Sequence, residues 1–357
     1  MPGRCGKPTV EASGEIDKLR SSLAIVITHV VLDGVAEGPL GVGLDVVATA
    51  TRLVEAGLCP GPGRAEPLRQ RVVSLDGCPV RSGTGRPVSV DGTLSLRSVK
   101  AGDVLLVPGL SAASERAIES LLSRADTSRC LELLARAAAK GAMVAASCSA
   151  TFVLAAAGLL AGRSATTTWW LVPAFARRFP EVTVRADRMV VESEGVLTAG
   201  SAFAHADLML ALVARVASPS LAHLVARYLV LDERVSQSRY MVMEHLRVAD
   251  PALRAVERFV AANLGRQLTL DELARAAATS TRTLARRVQA GLGMTPLEFV
   301  QRVRVAHASH LLETTRESVE EVSARVGYAD AAAFRRVYKR HAGETPRGRG
   351  AGAIRKR

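Results

Sequence analysis

TLDELARAAATSTRTLARRVQAGLG at residues 269–293 and SVEEVSARVGYADAAAFRRVYKRHAG at residues 318–343 carry one pattern twice, 49 to 50 positions apart. Each copy opens with a capping box, Thr269-x-x-Glu272 and Ser318-x-x-Glu321, in which a hydroxyl and a carboxylate satisfy amide donors at a helix start. An apolar stripe at helical spacing follows: Leu270, Leu273, Ala274 and Ala277 in the first copy, Val319, Val322 and Val326, with Ser323 on the same face, in the second. Both stripes stop at a short turn, near Thr279 and at Gly327-Tyr328-Ala329, and Ser280 and Asp330 are suited to cap the next helix. The pattern predicts two helix-turn-helix units, over 270–291 and 318–341, inside an all-α region spanning 251–346.

The second helix of each unit divides its faces by chemistry. Leu284 and Val288 in one, and Phe334, Val337 and Tyr338 in the other, form the side to be buried. The opposite sides show Arg282, Arg286 and Arg287, then Arg335, Arg336, Lys339 and Arg340. A helix pair that displays arginines from its second member can lay that member in a major groove, where guanidinium groups reach guanine edges or phosphates. An ordinary αα-hairpin with a solvated basic face would account for one such pair; two with the same caps argue against it. Between them, Thr295-Pro296-x-Glu298 is a third capping box, with proline at the first helical position. The helix it starts, of roughly 16 residues and about 24 Å, is long enough to hold two reading helices near one DNA turn apart.

Charge supports the same placement. Residues 251–357 hold 20 Lys and Arg against 10 Asp and Glu, whereas residues 1–250 hold 27 against 24, so most of the net charge of +13 sits on the C-terminal third. Aromatic residues are 4% of the chain, which argues against stacking platforms that bind single strands and leaves duplex DNA open. Five cysteines, Cys5, Cys59, Cys78, Cys130 and Cys148, are scattered without C-x-x-C spacing, which indicates neither a disulfide framework nor a zinc site. No cofactor or metal is expected. Nothing reads as a signal peptide or a membrane span, so a cytoplasmic, nucleoid-associated protein without membrane contact is expected.

Upstream the texture changes. Residues 1–21 and 347–357 read as disordered tails, the latter basic, and 217–250 reads as a helical linker containing LAHLVARYLVLDERV. Residues 22–216 form the first domain. LAIVITHVV (23–31), VLLVPG (104–109) and MVAAS (143–147) are continuously apolar like strands covered on both faces, with helical stretches between the last two. That alternation predicts an α/β domain with a parallel sheet flanked by helices. LCPGPG (58–63) and residues 76–91 read as loops or edge hairpins.

Residues 251–346 resemble the AraC/XylS DNA-binding domain. The resemblance rests on S-x-R-x-L-x-R at 280–286, G-x-x-P at Gly293, R-x-x-x-A-x-x-L-L at 302–311 in loose register, G-[FY] at 327–328, F-x-R-x-[FY]-K at 334–339 and G-x-x-P at 343–346. It implies groove-facing positions at Arg282, Ala285 and Arg286, and at Ala331, Ala332, Arg335 and Arg336; Thr281, Arg287 and Lys339 beside them complete the candidate DNA-binding set. Ala331 and Ala332 offer methyl groups and no hydrogen bonds, which suits thymine methyls or phosphate docking. After Pro346 the chain reads RGRGAGAIRKR where the family commonly has an aromatic-Arg ending.

The stretch 143–167 places Cys148 at a strand-turn-helix position, where a nucleophile is exposed to helix N-terminal amides. With VLLVPG and with residues 197–215 as a closing strand and helix, residues 22–216 resemble the DJ-1/PfpI, or class I glutamine amidotransferase-like, fold. The pairing of the two domains resembles the GlxA-type regulators. It implies a transcription regulator whose DNA-bound form meets RNA polymerase and whose first domain dimerises, either as a scaffold alone or as one that also senses a small molecule of unknown identity or oxidation at Cys148. Catalysis in this fold needs an imidazole for the thiol and an acid beside it. Here Ser149 follows Cys148 where the proteases have histidine, Thr168 stands where related regulators have histidine, and Asp45 matches the fold's glutamate with one methylene fewer. His29 or His205 would have to be brought in by the fold. No enzyme is expected, and Cys148 and Asp45 read as vestigial or sensing residues. The alternatives are a cysteine-dependent hydrolase or amidase with an appended DNA-binding module, and an architectural protein without sequence preference. Trp169 and Trp170 suit either a pocket wall or a buried pair on the sheet.

Overall fold

The computed structural model describes residues 25–58, 68–232, 234, 236, 237, 240, 250–292, 294–342 and 345–347. The tail expected at 1–21, all but Arg347 of the tail at 347–357, most of the loop at 58–63 and residues 241–249 of the expected linker lie outside the described residues, as do Cys5 and Cys59.

The three apolar runs form the centre of a seven-stranded sheet. β1 (Val26–Val30) is followed by α1 (Glu37–Glu55), β2 (Arg69–Ser74), an antiparallel pair β3 (Val80–Arg81) and β4 (Pro87–Val88), β5 (Gly92–Thr93) and β6 (Val104–Val107). Then come α2 (Glu115–Leu122), α3 (Ala125–Ala139), β7 (Met143–Ser147), α4 (Thr151–Ala156) and a parallel pair β8 (Ser164–Ala165) and β9 (Thr183–Val184), with α5 (Val172–Arg178) between its strands. β10 (Val190–Ser193), β11 (Val196–Ala199) and α6 (Ala204–Val216) close the sheet, whose order is β10-β11-β7-β6-β1-β2-β5. Every neighbouring pair is parallel except β10 with β11.

Alternation along the strands sends Val30, Leu105, Val107, Val144 and Ala146 into a core with α2, α3 and α4. Ile27, Val104, Leu106, Ala145 and Leu197 enter a second core with α1 and α6. Burial on both faces explains why these strands read as unbroken apolar runs. β2 escaped that reading because its first residues, Arg69, Gln70 and Arg71, are polar and not buried, while Val72, Val73 and Ser74 are buried.

The domain boundary expected after residue 216 is corrected by α7 (Pro219–Tyr228). This helix is capped by Ser218, whose Oγ accepts from Leu221 N at 3.1 Å, and it packs on α1 and α6 rather than serving as linker. The physical reason is its amphipathic face: Leu221, Ala222 and Val225 are buried in the same core as Leu208 and Leu212.

The C-terminal helices are α8 (Pro251–Ala262), α9 (Leu270–Ala276), α10 (Thr281–Leu292), α11 (Pro296–Thr314), α12 (Val319–Arg325) and α13 (Ala331–Ala342). All three sequence-predicted capping boxes form, at Thr269, Thr295 and Ser318. The strut α11 has 19 residues, about 28 Å at the usual rise, and serves two separate cores. Phe299, Val300 and Val303 pack with α8, α9 and α10; Val305, Ala308 and Leu312 pack with α12 and α13.

Candidate nucleic-acid interface and cysteine turn

In the first unit, Ser280 caps α10, its Oγ accepting from Thr283 N at 3.2 Å. Leu284, Val288 and Leu292 are buried, which turns Arg282, Arg286 and Arg287 outward, with Thr281 and Ala285 half-buried beside them. Arg287 leans toward Asp250, 3.7 Å away at the start of α8. Among the described residues, no ion pair or hydrogen bond engages the side chains of Arg282 and Arg286.

The second unit has the same skeleton and a different charge arrangement. Asp330 caps α13, its carboxylate accepting from Ala332 N at 2.8 Å and Ala333 N at 3.0 Å. Those two amides hold its pKa below the ordinary carboxylate value. Phe334 and Tyr338 are buried, and Tyr338 Oη lies 2.9 Å from Ser309 Oγ on the strut. Ala332, Arg335, Arg336, Lys339 and Arg340 are exposed and Ala331 is half-buried. Arg335 is paired with Glu320 of α12, and Arg336 lies 4.0 Å from Asp330.

The strand-turn-helix reading of Cys148 agrees with the structure. β7 ends at Ser147, a 3-10 turn covers Cys148–Ala150, and α4 follows. Cys148 has φ +57°, a left-handed conformation uncommon for a residue with a side chain. Gly109 lets the turn approach, since a Cβ there would lie 3.2 Å from Cys148 Cβ. Thr167 Oγ1 donates to Cys148 O at 2.8 Å, and Ser149 Oγ donates to Leu110 O at 2.5 Å while accepting from Leu110 N at 3.2 Å. The thiol is 7% exposed; burial raises its pKa, opposed by contacts with Ser149 and Thr168. A buried thiol with a raised pKa is a poor nucleophile.

The two candidate bases, His205 and His29, are both buried. His205 Nδ1 lies 2.9 Å from Ser147 Oγ, and the ring is fully buried with its pKa lowered to about 3, by burial first and then by the neighbouring His29. His29 is lowered to about 4 by burial, with the nearby Gln70 amide opposing. Both rings are therefore neutral near pH 7. Among the described residues, no hydrogen bond joins either ring to the thiol.

Asp45 lies exposed in the middle of α1. An acid that the sequence reading did not single out, Glu37, opens α1. It accepts from Ser82 Oγ and from Thr84 Oγ1 (2.5 Å), with Arg86 at 3.9 Å, and the Ser82 contact foremost holds its pKa low. Ala36 N, just before it, donates to Gly109 O at 2.8 Å, tying the start of α1 to the glycine that abuts Cys148. The signal was a Glu in the first turn of a helix that follows a buried strand.

Two further features connect this turn to the rest of the chain. Gln237 is buried and donates from Nε2 to Thr166 Oγ1 (3.1 Å) and Thr167 O (3.0 Å). Trp169 is buried in the core that α8, α9, α10 and α11 share, whereas Trp170 is half-buried, packs against both that core and the first domain's, and donates from Nε1 to Ala113 O at 3.2 Å. The tryptophan pair thus bridges the two domains instead of packing on the sheet or lining a pocket, because α5 lies along α10. Among the described residues, no cluster of three or more His, Cys, Asp or Glu is placed to hold a metal ion, and no helix is long and apolar enough to cross a membrane.

Comparisons with known proteins agree with both halves. Residues 273–348 match the helix-turn-helix domain family and residues 44–215 match the DJ-1/PfpI family. The HTH-type transcriptional regulator CdhR of Pseudomonas aeruginosa is 31% identical over 285 residues, covering 79% of this chain and 81% of CdhR. The HTH-type transcriptional regulator GlxA of Rhizobium meliloti is 31% identical over 236 residues, covering 65% of this chain and 71% of GlxA. Among solved structures, an AraC family transcriptional regulator from Pseudomonas putida aligns with a TM-score of 0.47 at 24% identity, over 57% of this chain and 99% of that one.

Proposed function

The chain belongs to the HTH-type transcriptional regulators that join a DJ-1/PfpI domain to an AraC-type helix-turn-helix domain, and from that premise we propose how it reads a promoter. α10 and α13 enter successive major grooves of one duplex. Thr281, Arg282, Ala285 and Arg286 face the first groove, with Arg287 at its edge; Ala331, Ala332, Arg335, Arg336 and Lys339 face the second. The first domain, extended to the end of α7, dimerises and presents two such readers to paired sites, beside RNA polymerase in the cytoplasm. It responds to a small effector and turns over no substrate: the Cys148 thiol is raised in pKa, and the nearest imidazole in sequence order serves Ser147.

The observation that carries this reading is a pair of helix units on one strut, each opened by a capping box, the first showing Arg282 and Arg286 with no competing partner among the described residues. The test is a titration of the full chain against duplexes selected from genomic DNA and against scrambled controls at fixed salt. Arg286→Ala is expected to weaken the preference and Cys148→Ser to leave it intact. Equal affinity for every duplex in the wild type would defeat the proposal.

A further inference from the structure

The strut carries an arginine that does not face the grooves. Arg304 is 7% exposed, between Val303 of the first unit's core and Val305 of the second's. Its Nη2 donates to Arg266 O (2.5 Å) in the segment before α9, and its Nη1 donates to Gly327 O (3.5 Å) in the turn of the second unit. The guanidinium also lies over the Tyr328 ring, 5.7 Å from its centroid. Gly327 allows the approach: its φ is +87°, and a Cβ there would lie 2.2 Å from Leu264 O and 3.0 Å from Arg304 Cζ.

Burying a guanidinium without a carboxylate is costly, and a Leu or Met would fill the space at lower cost. What Arg supplies and they do not is a rigid planar fork that fixes two backbones relative to each other. That matters because the two units have separate apolar cores whose shared element is the strut, so apolar packing alone leaves the torsion between them weakly defined.

We propose that Arg304 is a positioning residue that clasps the Arg266 segment to the Gly327–Tyr328 turn, fixes the offset between α10 and α13, and so sets the half-site spacing the protein accepts. The inference rests on the two-groove reading above. Its test uses the full chain and a duplex selected by the wild type. Copies with one or two base pairs inserted or removed between the two contacted segments are compared, along with a duplex keeping the first segment alone. Each base pair rotates one groove by roughly 35° relative to the other.

Wild type is expected to lose affinity at altered spacings. Arg304→Ala should bind the unaltered duplex at least about tenfold more weakly, rank the spacings equally, and bind the single-segment duplex as wild type does. Arg304→Lys, which keeps the charge without the fork, should fold with near-native melting and still show flattened spacing preference. Tyr328→Leu, which keeps both carbonyl contacts, should retain it. If the two Arg304 variants rank the spacings as wild type does, the clasp is overturned while the DNA reading stands. If wild type prefers no sequence, both fall.

Discussion

The two helix-turn-helix units share the capping box of the first helix, the turn and the buried stripe, yet they differ in what surrounds the arginines. In α10 the N-cap is a neutral hydroxyl, Ser280, and Arg282 and Arg286 have no ionic partner among the described residues. In α13 the N-cap is the carboxylate of Asp330, Arg335 is paired with Glu320, and Arg336 lies beside Asp330. A carboxylate at a reading helix's N-terminus repels phosphate where the helix dipole would attract it. An arginine already paired must also give up that contact before it reaches a base. The same scaffold thus yields one unit whose arginines are free to reach bases and another whose arginines are held by carboxylates, leaving Ala331 and Ala332 as its base-facing positions.

The largest effect that would break this contrast lies in the paired alanine variants. Arg286→Ala is expected to weaken binding to a selected duplex by roughly 10- to 100-fold and to relax preference at one base pair. Arg335→Ala should cost no more than about fivefold, equally on selected and scrambled duplexes. Anisotropy titrations at one salt concentration separate the two outcomes; equal loss of specificity from both would erase the asymmetry.

Next in size is the effect of Lys339, an exposed cation on α13 that is expected to meet phosphate. Lys339→Ala should lower affinity uniformly and reduce the slope of log K against log salt by about one. A slope that does not change would remove Lys339 from the backbone contacts.

A smaller gain is expected from neutralising the second cap. Asp330→Asn keeps a good cap and removes the charge, so affinity for every duplex should rise by about two- to fivefold. No gain, with helix content unchanged by circular dichroism, would mean that the cap does not face phosphate.

The smallest effect concerns acid. His341 at the end of α13 has its pKa lowered to about 4, by burial first and then by Arg302 and Arg340, whereas α9 and α10 contain no histidine. A pKa lower folded than unfolded means that the unfolded state binds more protons, so stability is complete above about pH 6.5 and is lost as pH falls toward 4. Hydrogen exchange from pH 7 to 5 should therefore show amides of α13 losing protection before those of α10. His29 and His205 shift in the same direction, so the first domain's exchange is followed separately.

The C-terminal half was legible because its signals are local. Caps three residues apart and apolar stripes at helical spacing need no knowledge of distant partners, and all three capping boxes formed. The β1, β6 and β7 runs were legible for the complementary reason: burial on both faces leaves no polar alternation. What stayed hidden depends on contacts between segments far apart in sequence. Glu37 is defined by Ser82 and Thr84, and α7 by a face that matches α1 and α6. The arginine of the strut motif was set two residues early: R-x-x-x-A-x-x-L-L fits 304–312, and the position acquires meaning from carbonyls at 266 and 327.

The chain has two tryptophans, and both stand at the seam between its halves, Trp169 buried in the C-terminal core and Trp170 half-buried against both cores. Nature has in effect installed a built-in optical gauge: ultraviolet emission from this protein reports on how its halves are seated, without any dye. Rotation of the reader against its partner domain would change quenching and emission colour in a single cuvette, so candidate effectors can be screened by light before any promoter is known.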